Sequence, residues 1–349
     1  EVWFGNVQHG NITVCKFSDI NVNGMYDEGE EMLSNWTFNL WTADEFGNPI
    51  EIIDTGVTYE EGCFKFTKLH PGHYAVQEVG RDCWFNTTPL IQLVHLECSE
   101  EEEVWFGNVQ PGNIRACKYE DLNGNSIRDE GEPWLENWTF NLWTTYENGT
   151  PKEIIDTDVT GECGCVMFEE LLPGTYIVEE MRKMGWCNTT PYLQSISIQP
   201  CEFAELEFGN GRVGEISGMK YKDINADGEF DVGLDEPLEG WTINLWTGDE
   251  FGNPIEVVQT TTTDECGMYY FDCVCPGYYV VQEEIPSGWY NVTPALVPIS
   301  IASGEILEDI NYGNCMYKYI YGITYHDWDM DGIFDEGIDE TLEGWEVQL

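Results

Sequence analysis

Asp19, Asn21, Asn23, Asp27 and Glu30 fall at positions 1, 3, 5, 9 and 12 of a twelve-residue loop, with Gly24 at the sharp turn. Alternating carboxylates and carboxamides in a tight turn aim several hard oxygens at one point, and Ca2+ takes about six to eight such ligands. A second set follows at Asp121, Asn123, Asn125, Asp129 and Glu132, with Ser126 replacing the turn glycine. A third has Asp223, Asn225, Asp227 and Asp231, and a fourth Asp327, Asp329, Asp331 and Asp335. In the last two an inserted residue displaces the closing acid to Asp235 or Glu236 and to Asp339 or Glu340; Glu236 and Glu340 are taken here as the expected ligands. One acidic run is ordinarily a solvated turn, but recurrence at ligand spacing points to calcium. No helical pattern flanks the loops, so a sensor EF-hand is excluded.

The thirteen cysteines indicate an oxidising, extracellular setting. Cys15 and Cys63 have counterparts Cys117 and Cys165, and both counterparts become Met219 and Met268 in the third copy. Positions that change together suggest contact, so Cys15–Cys63 and Cys117–Cys165 are the expected disulfides. Cys83 with Cys98 and Cys187 with Cys201 form a second class; Cys163, Cys266, Cys273, Cys275 and Cys315 remain, as free thiols or with other partners. Asn-x-Thr acceptors for N-glycans occur at Asn11, Asn35, Asn86, Asn137, Asn148, Asn188 and Asn291. Catalytic patterns are poor. The five histidines, His9, His70, His73, His95 and His326, are not shared between copies, and no phosphate loop, GxSxG, HExxH or CxxCH appears.

These groups sit on a tandem array. GNITVCKFSDINVNGMYDEGEEMLSNWTFNLW from Gly10 returns from Gly112 and Gly214, and the spacings from Asp19 through Asp121 and Asp223 to Asp327 are 102, 102 and 104 residues. The reading is a closing strand of a preceding repeat at 1–9, repeats at 10–110, 111–212 and 213–315, and the first part of a fourth at 316–349. On this view the apolar Val2, Trp3 and Phe4 are covered by a preceding repeat or by a neighbouring copy through strand addition. Trp36, Phe38 and Leu40 alternate with Thr37, Asn39 and Trp41, the period of a half-buried strand. Short strands with Pro-Gly turns predict an all-β chain of tandem antiparallel β-sandwich domains. A net charge of −51 excludes nucleic acid and argues against anionic lipid. No apolar run is long enough to insert in a membrane.

The order GMKYKDINADGEFD, EPLEGWTINL, TTDECGMYYF, CPGYYVVQE, PSGWYNVTP and YGN resembles the B-type repeats of serine-aspartate-rich surface adhesins, over essentially the whole chain. The resemblance implies a calcium-stabilised, prealbumin-like or immunoglobulin-like sandwich used as a stalk or spacer. A second likeness is to the Lys, Glu, Asn trio that forms isopeptide crosslinks in the B-type domains of collagen adhesins. It falls on Lys16, Glu78 and Asn108, on Lys118, Glu179 and Asn210, and on Lys220, Glu283 and Asn314. If Cys15 and Phe17 point inward, Lys16 points outward, which argues against it. The expected function is non-enzymatic: a calcium-stiffened, disulfide-stapled and glycosylated array, partnered by further repeats or copies of itself, in an extracellular filament, stalk or sheath. An adhesin or carbohydrate-binding module is the alternative, with Trp41, Trp143 and Trp246 as the surface for sugars.

Overall fold

The computed structural model describes residues 6–348; the expectation for Val2, Trp3 and Phe4 lies outside them. No helix occurs among the described residues. The first repeat contributes β1 (Gly10–Ser18), β2 (Thr37–Ala43), β3 (Pro49–Val57), β4 (Cys63–Leu69), β5 (Gly72–Glu78), β6 (Phe85–Asn86), β7 (Ile91–Leu96) and β8 (Glu101–Val109). They form two sheets, ordered β4-β1-β8-β6 and β3-β2-β5-β7. The second sheet is antiparallel throughout; in the first, β1 and β8 run parallel from Asn11 opposite Glu101 to Ser18 opposite Asn108. The sandwich is therefore antiparallel apart from the pairing of its first and last strands. The second repeat reproduces both sheets over residues 112–212, and the third builds equivalent ladders from Gly214 to Met316.

The alternation on β2 is realised as a core. Trp36, Phe38 and Leu40 are buried between the sheets with Ile12, Val14, Phe64, Phe66, Val76 and Phe106. Trp36, Trp138 and Trp241 each meet a second indole, Trp84, Trp186 and Trp289, edge to face at 5.3–5.5 Å. Fully burying side chains of this size stabilises a domain by about 1.5–3 kcal/mol each. The outward Trp41, Trp143 and Trp246 are half-buried, and their indole N–H groups donate to Gln77, Glu179 and Gln282 at 2.7–2.9 Å.

The chain divides into two compact units. Among the described residues, one holds 6–214 together with 275–277 and 302–305; the other holds 215–274, 278–301 and 306–348. In the latter, the fourth acidic loop is flanked by a short ladder of Tyr325–His326 with Glu340–Thr341.

Candidate functional site

Each acidic loop leaves the end of its repeat's first long strand and is closed by its own side chains. Asp19, fully buried, accepts the backbone N–H of Asn23 at 3.1 Å and of Gly24 at 2.7 Å. Asn21 and Asn23 converge on Asp27 Oδ2 at 2.8 and 2.6 Å, which holds that carboxyl below its ordinary range. Glu30 spans the loop, accepting N–H groups from Ile20 and Asp27 at 3.1 and 3.0 Å. Asp121, Asn123, Asn125, Asp129 and Glu132 repeat the arrangement.

In the third and fourth loops the acid that closes the loop by hydrogen bonds is Asp235 or Asp339, while the expected Glu236 and Glu340 lie elsewhere. Asp235, buried, accepts from Ile224 and Asp231 at 2.9 and 2.8 Å, while Glu236 turns away to an ion pair with Lys222 at 2.8 Å. Asp339 does the same for Trp328 and Asp335, and its carboxylate oxygen lies within 4.8 Å of those of Asp327 and Asp329. Glu340 sits in the short flanking ladder. The reason is reach: one more backbone residue is matched by one fewer side-chain methylene, so Asp at the fourth place after Asp231 spans what Glu spans at the third place after Asp27.

Within the first unit both loops lie against Pro-Gly turns. Ile20 and Asn21 share a cavity of about 350 Å³ with Pro173, Gly174, Thr175 and Ser197. Gly124 adopts φ +72°, and a Cβ there would fall 2.1 Å from the carbonyl oxygen of Pro276. Beside it, Ser303 donates its N–H to Leu122 O at 2.9 Å and its hydroxyl to Glu120 at 2.6 Å, and Glu120 pairs with Arg212 at 3.3 Å.

The buried lysines overturn the outward orientation expected for Lys16. It shares the core face of β1 with Ile12 and Val14, whereas Cys15 and Phe17 occupy the opposite face, which is itself covered. Lys16 Nζ lies 2.5 Å from Asn108 Oδ1 and 3.0 Å from Glu78 Oε2; Asn108 Nδ2 donates to Glu78 Oε1 at 2.7 Å. In the second repeat the carboxylate is Glu180, not Glu179: Lys118 Nζ is 3.0 Å from Glu180 Oε2, and Asn210 donates to Glu180 Oε1 at 2.6 Å. Glu179 instead serves Trp143 and Asn141 on the outer face. Lys220 and Glu283 pair at 3.0 Å beside a fully buried Asn314. Burial pulls all three lysines down to about 8 and raises Glu180 and Glu283 above the usual carboxylate range. Each ammonium also lies 4.4–4.7 Å from the indole of Trp36, Trp138 or Trp241. In the first repeat a desolvated amine thus lies against a carboxamide with a carboxyl bridging both, a geometry suited to amide exchange, whereas Lys118 and Lys220 donate to the backbone oxygens of Phe208 and Tyr312 at 3.0 Å.

Cys15 is joined to Cys63 and Cys117 to Cys165, each pair directly opposed on neighbouring strands. Cys187 departs from its expected class: it bonds Cys275, 88 residues on, and Cys201 is a free thiol that donates to Gln110. Cys83 and Cys98 are likewise free and exposed. Aligning on the recurrent Asn-Thr-Thr-Pro places Cys187 opposite Phe85 rather than Cys83, a signal that could have separated the classes. A non-reducing digest is expected to link the Cys187 peptide to that of Cys275; linkage to Cys201 would count against this pairing. Among the Asn-x-Thr sites, Asn35, Asn86, Asn137, Asn148 and Asn291 are exposed and Asn11 and Asn188 are half-buried. Exposure alone does not free the amide: Asn86 and Asn188 direct Nδ2 into the triads, toward Asn108 and Asn210 at 3.2 and 3.1 Å. Asn11 donates to Glu101 at 3.1 Å and Asn291 to Thr293 O at 3.0 Å.

Residues 214–297 match the model of the SdrD B-like domain. Serine-aspartate repeat-containing protein F of Staphylococcus epidermidis is 25% identical over 310 residues, 81% of this chain and 18% of that protein. Protein D of the same series from Staphylococcus aureus is 25% identical over 325 residues, 85% of this chain and 23% of its own length. Colossin-A of Dictyostelium discoideum is 25% identical over 356 residues, 93% of this chain and 3% of that protein. The chain thus spans less than a quarter of these curated relatives. Among solved structures, a streptococcal ancillary pilin aligns at 13% identity over 88% of this chain and 99% of its own, with a TM-score of 0.34. BcpA, the major pilin subunit of Bacillus cereus, aligns at 12% over 89% and 100%, also with 0.34. The sequence matches bear out the resemblance to B-type repeats; the structural alignments are too loose to carry argument.

Proposed function

We propose that this chain is a non-enzymatic, extracellular structural array, a cell-surface stalk or filament segment. In this reading calcium stiffens the repeats, disulfides staple them, and each full repeat carries a triad built to crosslink its own sheet. The observation that supports it is recurrence: acidic loop and buried Lys-Glu-Asn triad occupy equivalent places in successive sandwiches, whereas the histidines do not recur. Load-resisting devices are useful in every link of a series, while a catalytic site is needed once. The indole N–H groups of Trp41, Trp143 and Trp246 are spent on neighbouring side chains, which favours packing over a sugar-binding groove.

The donor set suits calcium. Asp19, Asn21, Asn23, Asp27 and Glu30, and their counterparts through Asp235 and Asp339, offer only hard oxygens from carboxylates and carboxamides. The ion would supply positive charge where several carboxylates otherwise repel one another. Because the first two loops lie against Pro-Gly turns, that charge also bears on the neighbouring segment. Chelation is therefore expected to raise protease sensitivity near 110–112 and to lengthen or broaden the scattering profile, with recovery on adding calcium. Identical profiles with and without chelator would remove the stiffening mechanism.

In the triad, neutral Lys Nζ attacks the Asn Cγ; a new C–N bond forms, the C–NH2 bond breaks, and ammonia leaves. Glu carries the proton from the amine to the departing nitrogen, so no oxidant or cofactor is needed. Attached glycans, where the chain is made by a glycosylating cell, are expected at Asn35, Asn137 and Asn148 rather than at Asn86 and Asn188, whose amide nitrogens are engaged.

A further inference from the structure

Three of the five histidines, His70, His73 and His95, belong to the first repeat, and His9 immediately precedes it. His73 on β5 and His95 on β7 are directly opposed in the antiparallel ladder. Their Nδ1 atoms are 3.3 Å apart and their ring centroids 4.4 Å apart, and both side chains are exposed. His70, in the turn between β4 and β5, lies edge to face with His9 at 4.7 Å. We propose that His73 and His95 form a binding site for a divalent transition metal of the zinc class at this end of the first repeat.

The geometry carries the assignment. Two imidazole nitrogens on one tetrahedral zinc, with Zn–N of about 2.0–2.1 Å, stand roughly 3.3–3.4 Å apart. The ladder places the two residues directly opposite each other, and their Nδ1 atoms already stand 3.3 Å apart. Exposure of both rings leaves the remaining positions to water, an open two-histidine site. Imidazole selects against calcium, whose ligands are oxygens, so the site is chemically distinct from the acidic loops. The net charge of −51 raises the local concentration of any divalent cation.

The other repeats show what the same position does without imidazoles. Thr175 and Ser197 replace the pair in the second repeat, with hydroxyl oxygens 2.8 Å apart, and Tyr278 and Ser300 replace it in the third. The opposed geometry is thus inherited from the fold, and the metal-binding donors are particular to the first repeat.

The test uses the full chain with calcium present to occupy the acidic loops and with free thiols alkylated. Zinc alone is titrated by calorimetry against the wild type, His95→Gln and His73→Thr/His95→Ser. The double variant installs the pair the second repeat already tolerates, so it keeps the sheet. The wild type is expected to bind one zinc more than the double variant, and His95→Gln to bind it at least about tenfold more weakly, since one imidazole no longer chelates. Equal uptake and affinity in all three chains would overturn the site.

Discussion

The intact chain is expected to weigh less than its sequence, after the disulfides are counted, by one ammonia for each repeat whose triad has reacted. Glu180→Gln should reduce that deficit by one ammonia, because the carboxamide keeps the shape of Glu180 but cannot carry a proton from Lys118 to the leaving nitrogen. Lys118→Met should do the same by removing the nucleophile. Stability separates the variants further. Glu180→Ala leaves the Lys118 ammonium fully buried with its counter-ion gone, a change that costs about 3–5 kcal/mol. In a domain of roughly 100 residues that is at least about 10 °C in Tm. Lys118→Met leaves Glu180 buried without its counter-ion, but that carboxyl is already raised by burial, keeps hydrogen bonds from Asn188 and Asn210 and can take up a proton, so this variant should melt above Glu180→Ala. Mass spectrometry reads the chemistry whether or not a variant melts early. A wild-type mass equal to the sequence mass would end the crosslink reading and leave the calcium reading standing.

Much of the fold could be read in the residues themselves. Trp36, Phe38 and Leu40 announced β2 because a strand facing solvent on one side writes its burial in a period of two. The same rule misplaced Lys16, for a reason visible on β1. That strand is covered on both faces, so Cys15, Lys16 and Phe17 are all buried. Alternation there tells which residues oppose one another and says nothing about which side is wet. Cys15–Cys63 and Cys117–Cys165 were legible because each pair lies inside one repeat, where a joint change to Met219 and Met268 can be noticed. Cys187–Cys275 joins different copies at non-equivalent positions, so comparison of copies carries no trace of it. Glu180 was hidden by an adjacent acid, Glu179, of identical chemistry. Only its partners distinguish the two, and partners are a property of the folded sheet.

The closing acid of the third loop gives the last expectation, because neighbours in sequence are assigned opposite roles. Asp235→Ala should weaken one calcium site of the full chain by roughly 10–100-fold, the range in which loss of a supporting or ligating group is felt, while Glu236→Ala leaves every site as it was. Asp235 is buried and holds N–H groups from both ends of the loop, at Ile224 and Asp231. Its removal leaves those donors without their acceptor, at about 1–3 kcal/mol for each that stays buried, and lets the loop open. Glu236 is exposed and answers only Lys222, a surface pair worth about 0–1 kcal/mol. Calorimetric counting of calcium sites distinguishes the two, and Asp339→Ala against Glu340→Ala repeats the comparison in the fourth loop. Should Glu236→Ala lose the site while Asp235→Ala retains it, the reach argument fails: the inserted residue would then shift the ligand along the chain instead of being absorbed by a shorter side chain.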